Sequence, residues 1–551
     1  MTHFRMSFAR MPRALAVAAS LFATLVCAPK ARANGRFPNA EQLREIAPGS
    51  LVVSGTYGLL VSANEKDFQF VCESALFGKT LMGSWVDPLL EVLPDGTILS
   101  GSLNGLRVSR DRGCSFQSDW SLPHDPSFIP PDPNATGPTG TVVDLCPAYD
   151  ANHGVVALTT VTNADGTTLE HRLYHTIDGA KTWSQLGAPI PTSMVRVVLT
   201  VDVAPSDSTH IYVSGNLTGQ SVVVSSEDSG ATWTPHTLTI DDSDGVGGLY
   251  IAAISPSDPK RVYLRVNRQS QADDGSTTWD DSLLASDDEG ATVRDVLRKQ
   301  GALLGFALSS DGSTVLAGYG DPVVAPTVTN PDDIGLYSAS SADLNFTQKI
   351  PNFYVSCLRW AADGLFACAK ENDPLGTDPT QTDFHVGVFT GSGVPSALSD
   401  FTTLTKLKDL RGPMPLASGM PSSCETEWTM GDPSSPGQAS VCMTLNACDG
   451  SKVSLSAGAI ICGESADAGA ASSSGGASAS GGSANANQGG SAPTGASAGS
   501  GGTTSQSTNG ASSSKSGGGC SFGVEPSWLG GFWALLALGG GAIARRFKRR
   551  R

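Results

Sequence analysis

The strongest constraint on this chain is an eight-residue pattern, Ser-x-Asp-x-Gly-x-Thr-Trp, that recurs along it. The cleanest copy is Ser226-Glu227-Asp228-Ser229-Gly230-Ala231-Thr232-Trp233, and Ser286-Asp287-Asp288-Glu289-Gly290-Ala291-Thr292-Val293 follows it. Earlier copies are Thr176-Ile177-Asp178-Gly179-Ala180-Lys181-Thr182-Trp183 and Ser109-Arg110-Asp111-Arg112-Gly113-Cys114-Ser115-Phe116. A decayed copy runs from Ser62 through Asn64 to Phe68, and a weaker one begins at Ser338. A β-rich unit returning every ~40–60 residues is the mark of propeller blades.

The residues of each copy suit a hairpin turn. An Asp carboxylate accepts hydrogen bonds from backbone N–H groups just ahead of it. The following Gly supplies a positive φ, and the Thr and aromatic re-enter a strand. Where Asn64, Lys66 and Ala180 replace the expected Asp or Gly, looser turns are expected. Asp274-Gly275-Ser276-Thr277-Thr278-Trp279 is a partial match too close to the next copy, and reads as an insertion loop. Between copies lie strand pairs that turn on Pro, Ser, Asp or Gly. Leu199–Val203 leads to Ile211–Val213, Ile254 to Arg261–Leu264, and Phe306–Leu308 to Val315–Ala317. One unit is strand, turn, strand, loop, strand, Asp-turn, strand, which makes a four-stranded blade.

These residues closely resemble the Asp-box (BNR) repeat of sialidases, sortilin-type receptors, xyloglucan-degrading glycosidases and photosystem assembly factors. The resemblance covers roughly residues 50 to 410. It implies an all-β fold, a β-propeller of about seven blades, with Asp boxes on peripheral hairpins away from any active site.

The ends of the chain are set apart by composition. Residues 1–33 carry Arg5, Arg10, Arg13, Lys30 and Arg32 around an apolar run from Ala14 to Ala28, and end in Ala31-Arg32-Ala33. That is the build of a secretory signal peptide cleaved after Ala33. At the far end, Trp528 to Ala544 is an apolar run at the short edge of a bilayer span, followed by six basic residues that resist translocation. Without the two basic ends, 36 Lys and Arg fall to about 25 against 52 Asp and Glu. So acidic a body repels nucleic acid and anionic lipid.

Residues 463–519 are almost all Gly, Ser, Ala, Thr and Asn, a composition that cannot bury a core and reads as a flexible linker. The organisation expected is a signal peptide (1–33), a propeller (34–415), a Cys-rich closing segment (416–462), the linker (463–519) and a tail (520–551). Gly517-Gly518-Gly519-Cys520, the apolar run and the Arg-rich end resemble the C-terminal sorting tails of myxobacterial surface proteins. The opening stretches Phe37-Pro38-Asn39-Ala40, Tyr57–Ser62 and Phe70–Glu73 look like those of propeller-bearing proteins of the same group. The resemblance implies processing near Cys520, lipid attachment to that cysteine, and a chain exported to the cell surface or outer membrane, or extracellular after processing.

In an exported chain the cysteines are disulfide candidates rather than metal ligands. Cys357 and Cys368 flank a tight turn symmetrically, and Cys72 and Cys114 sit at matching offsets in successive repeats, so these are the expected pairs. Cys424, Cys442, Cys448 and Cys462 form an even cluster with three connectivities, leaving Cys146 as a buried free thiol.

Catalytic signals are weak. A sialidase needs an arginine triad, because the planar guanidinium binds a carboxylate bidentately. Arg196, Arg265 and Arg359 are available but carry no triad signature, and only Arg36-Phe37-Pro38 lies near the early motif of that family. Asp87, Asp144 and Asp202 lie in or beside apolar runs of inner-strand type and are the candidates for a paired-carboxylate glycosidase. Asp at a strand end is more often a turn cap. The loop Asp241-Asp242-Ser243-Asp244-Gly245 has oxygen ligands suited to Ca²⁺ but lacks the spacing of an EF-hand, so no cofactor or metal is expected. The resulting expectation is a monomeric binding or scaffold propeller for a protein or glycan, attached to the membrane by its tail, rather than an enzyme. The alternative is a secreted propeller glycoside hydrolase. If the signal peptide is read correctly, N-terminal sequencing of the exported chain begins at Asn34; retention of residues 1–33 would refute it.

Overall fold

The computed structural model describes residues 40–406, with Leu410 and Cys462, apart from 56–57, 73–74, 77–88, 103–104, 125–136, 163–168, 241–245, 272–276, 321–329 and 370–384. Asp87, the Asp241–Gly245 loop, Cys424, Cys442, Cys448, the signal peptide, the linker, Cys520 and the apolar run Trp528–Ala544 lie outside the described residues. Among those described, no helix is long and apolar enough to cross a membrane.

The described strands form seven antiparallel sheets of four, each made of consecutive strands. They are the seven blades of a β-propeller. The first strands of the blades are Ala40–Ala47, Leu89–Val92, Gly140–Pro147, Val197–Val203, Val246–Ile254, Ala302–Leu308 and Val355–Ala361. Each packs on the first strands of both neighbouring blades, and the last packs on the first, so these seven line the axis and the ring closes.

Apolar runs form these sheets because each blade is covered on both faces. Side chains alternate along a strand, so Val222 and Val224 enter the layer between blades 3 and 4 while Val223 enters the layer between blades 4 and 5. Leu316 likewise faces blade 7, and Val315 and Ala317 face blade 5. The core is therefore a series of layers between blades. On the two faces of blade 1 the layers toward blades 7 and 2 join into one cluster that includes Phe366, Val388, Leu43, Val52, Leu90 and Ile98.

The Ser-x-Asp-x-Gly turns join the third and fourth strands of blades 2 to 5. In blade 4, Ser226 Oγ donates to Asp228 Oδ1 (2.8 Å) and accepts from Gly230 N (2.8 Å). The carboxylate also accepts from Thr232, whose amide donates to Oδ1 at 2.8 Å and whose hydroxyl donates to Oδ2 at 2.7 Å. Ser286, Asp288, Gly290 and Thr292 repeat these bonds in blade 5, and Ser109, Asp111, Gly113 and Ser115 repeat them in blade 2.

The departures from the pattern do not loosen it. Ala180 N reaches Thr176 Oγ1 at 3.1 Å with Ala180 held at φ 56°, and Asn64 Oδ1 accepts from Lys66 N and Asp67 N at 3.0 and 2.9 Å. In blade 6 the third strand ends at Ser340, two residues past the start read at Ser338. Thr277–Trp279 extends the third strand of blade 5 and pairs with Gln269–Gln271, so it belongs to a long hairpin and not to a loop.

Each turn also grips the preceding blade. Trp183 Nε1 donates to Asp119 Oδ2 of blade 2 (2.8 Å), and Trp233 Nε1 to the carbonyl of Ala188 in blade 3 (3.1 Å). Gly290 has φ +93°, and a Cβ there would come within 3.2 Å of Val223 in blade 4. Glycine is needed at that site for both conformation and clearance.

The disulfides depart from expectation in two places. Cys357 and Cys368 stand opposite each other in blade 7 and are bonded, as the symmetric turn suggested. Cys114 bonds to Cys462, with Cα atoms 5.5 Å apart, and so not to Cys72. Cys72 and Cys146 are each engaged in a disulfide as well, so Cys146 is buried but is not a free thiol. Cys72 and Cys114 belong to one apolar cluster, yet membership of a cluster does not by itself align two sulfurs.

The Thr182 hydroxyl and amide hold the Asp178 carboxyl down to about 2 from an ordinary 3.8. A carboxyl whose folded value is depressed adds stability above its unfolded value and loses it as pH falls through the folded one. This turn should therefore weaken between about pH 4 and pH 2. Asp178→Ala should lower stability at neutral pH by about 1 kcal/mol, as for other carboxylates that cap backbone amides, and flatten the loss below pH 4 in urea titrations. An unchanged acid limb would refute this account.

Candidate site at the propeller axis

A first strand has no further strand on its axial side, so its backbone groups there need other partners. Side chains from neighbouring blades supply several of them. Leu90 N in blade 2 donates to Gln42 Oε1 of blade 1 (3.0 Å), and Val201 N in blade 4 to Asp144 Oδ2 of blade 3 (2.9 Å). Ile251 N in blade 5 donates to Thr200 Oγ1 of blade 4 (2.9 Å), and Leu303 N in blade 6 to Asp281 Oδ2 of blade 5 (2.7 Å).

Asp144 and Asp202, the described candidates for a carboxylate pair, both lie on first strands and are buried. The second oxygen of Asp144 accepts from Leu145 N at 2.9 Å, so both its oxygens are engaged by backbone amides. Asp202 Oδ1 accepts from Val203 N at 3.1 Å and lies 3.4 Å from Cys146 Sγ.

Around Asp202 the structure gathers Arg359 with residues that the sequence did not single out, Arg44, Glu91 and Tyr149. Arg44 Nε of blade 1 lies 3.2 Å from Glu91 Oε2 of blade 2, and both side chains are almost fully buried. Arg359 of blade 7 feels the charges of Arg44, Glu91 and Glu45; burial foremost, with Arg44 next, lowers its proton affinity. Tyr149, just past the first strand of blade 3, is within electrostatic reach of Asp202, Arg359, Glu91 and Arg44. Burial, reinforced by Asp202, pushes its phenol well above the ordinary value, so it stays protonated. Burial likewise raises Glu45, against the pull of Arg359. Five blades thus send two guanidiniums, a phenol and carboxylates to one region of the axis.

Tyr149 has φ 50°, a left-handed conformation that a bulky residue adopts only when its surroundings impose it. Of the arginines noted from sequence that lie among the described residues, only Arg359 is here. Arg265 pairs with Asp281 at 2.7 Å inside blade 5, and the exposed Arg196 lies at the start of blade 4. Glu91 did leave a signal, an acid inside the apolar run Leu89-Leu90-Glu91-Val92.

A crevice beside Tyr149, between blades 3 and 4, is lined by Asp150, His175, Val203, Ser208 and Ser229. His175 Nε2 lies 2.9 Å from Asp150 Oδ2 there. Among the described residues, the one grouping of three metal-type ligands lies elsewhere, at His210, Glu227 and Glu289.

No known protein family matches the sequence, and no curated protein matches it. Solved structures do align with it. A protein of unknown function from Dyadobacter fermentans is 18% identical over 56% of this chain and 95% of its own, with a TM-score of 0.35. An α-L-arabinanase from Penicillium chrysogenum complexed with arabinobiose is 12% identical over 52% and 88%, at 0.32. YCF48 from Cyanidioschyzon merolae is 11% identical over 60% and 92%, at 0.33. At these scores none bears on what this chain does.

Removing one member of a buried ion pair strands the other. Arg44→Ala should therefore cost about 3–5 kcal/mol in chemical denaturation, and adding Glu91→Leu should recover a large part of it. Equal losses in the single and double variants would show that the pair does not hold blades 1 and 2.

Proposed function

We propose that the chain is an exported Asp-box propeller, displayed on the cell surface by its C-terminal tail, that acts as a monomeric binding or scaffold module for a protein or glycan. The observation that carries this reading is the fate of the inner-strand acids. Asp144 is spent on backbone amides and Glu91 on Arg44, so neither is free to act as a hydrolytic base. The loops at the ends of the blades are then the surfaces left to meet a partner. Disulfides across the propeller support export, because they persist in oxidising compartments.

A second reading, a propeller glycoside hydrolase, is favoured by the strained Tyr149 beside Asp202, Glu91 and the two arginines. Fold does not choose between them. The purified exported chain should bind saturably on a glycan array or a surface-protein panel, and should not turn over glycosides matched to any glycan hit. Turnover that falls by more than about a hundredfold, the scale of a lost acid or base, in both Glu91→Gln and Asp202→Asn would overturn the binding reading in favour of the hydrolase.

A further inference from the structure

The geometry points to a divalent transition-metal site, of the zinc class, where blades 4 and 5 meet at the Asp-turns, with His210, Glu227 and Glu289 as ligands. One donor atom of each lies within 4.8 Å of the others. Ions of this class hold imidazole and carboxylate donors at about 2.0–2.2 Å, so small side-chain movements bring all three onto one ion. The three come from different segments. His210 closes the first hairpin of blade 4, Glu227 lies in the turn of blade 4, and Glu289 lies in the turn of blade 5.

The backbone under these residues is fixed. Ser229 N donates to the carbonyl of Thr209 (2.9 Å), tying the blade 4 turn to the hairpin that carries His210. Glu289 N donates to the carbonyl of Lys260 (3.0 Å), tying the blade 5 turn to the hairpin beside it. His210 is only 11% exposed, and neither ring nitrogen makes a hydrogen bond, although Nε2 faces Glu227 at 3.8 Å. Its Nδ1 lies 3.1 Å from Asp207 Oδ2. A carboxylate behind the far nitrogen of a ligating histidine sets the ring's tautomer and orientation, as is usual in metal sites.

The site already holds a cation in the form of the Lys260 ammonium, at 2.9 Å from Glu227 and 2.5 Å from Glu289. Two carboxylates this close repel unless a positive charge lies between them. Lys260 is 52% exposed on a flexible stem, so it can swing into solvent and yield its place to a metal. A divalent ion with two glutamates and a neutral imidazole is charge-balanced, and the exposed side of Glu227 leaves a coordination position for water. The imidazole favours this class of ion over calcium or magnesium, which prefer all-oxygen sets.

The test is titration of the metal-stripped, full exported chain with zinc chloride, read by bound metal after gel filtration and by calorimetry. One equivalent should bind saturably. Lys260→Ala should bind at least as tightly as wild type, because the competing ammonium is gone. Asp207→Asn should weaken binding by about tenfold or more, the usual effect of losing such a supporting carboxylate. His210→Ala and, separately, Glu289→Gln should abolish the saturable equivalent while the melting curve without metal shows each variant folded. The site is refuted if neither wild type nor Lys260→Ala takes up zinc, or if uptake survives in His210→Ala; Lys260 would then be a permanent ionic clasp between the blades.

Discussion

The ring depends on how each axial strand disposes of the backbone groups on its open side. A buried amide without a partner costs on the order of 1–3 kcal/mol, and a propeller multiplies that exposure by the number of its blades. Gln42, Asp144, Thr200 and Asp281 answer it by accepting the amide of the next blade. Such a bond also sets the height of one blade against the next, because the acceptor reaches only one amide well. Apolar layers are tolerant of sliding and these bonds are not. Polar residues inside the ring are therefore a register device first, and any chemistry at the axis is built on what remains.

The two ends of each interface are secured differently. Near the axis the fastening is side chain to amide. At the turns it is the ring nitrogen of Trp183 or Trp233 reaching back to the preceding blade, with Gly290 allowing close approach. The repeat thus serves its own hairpin through the Asp carboxylate and the neighbouring blade through Trp or Gly.

Much of this was legible in the sequence. The blade number followed from the spacing of the turns, and inner strands such as Val197–Val203 followed from apolar runs bounded by turn residues. The bond between Cys357 and Cys368 followed from symmetry about a tight hairpin. What failed were inferences that needed knowledge of the third dimension. Cys114 finds Cys462 only because the chain comes back to blade 2 after closing the ring. Ala180 looked like a defect, yet a residue that other contacts hold in place can sit at positive φ with the same bonds. Asp144 was rightly noticed as an acid in an inner strand, but its role lay in a blade whose position the local sequence does not state. The axial group was hidden for the same reason, since Arg44, Glu91, Tyr149 and Arg359 come from four blades, and the left-handed backbone of Tyr149 leaves no compositional trace.

The bond between Cys114 and Cys462 spans 348 residues of sequence and gathers blades 3 to 7 into one covalent loop. Tension applied to the chain beyond Cys462 enters the propeller through that sulfur bridge at the turn of blade 2, not through its last blade. A propeller pulled from this end cannot be peeled open from its last blade, so traction on the C-terminal side reaches it as on a knotted cord.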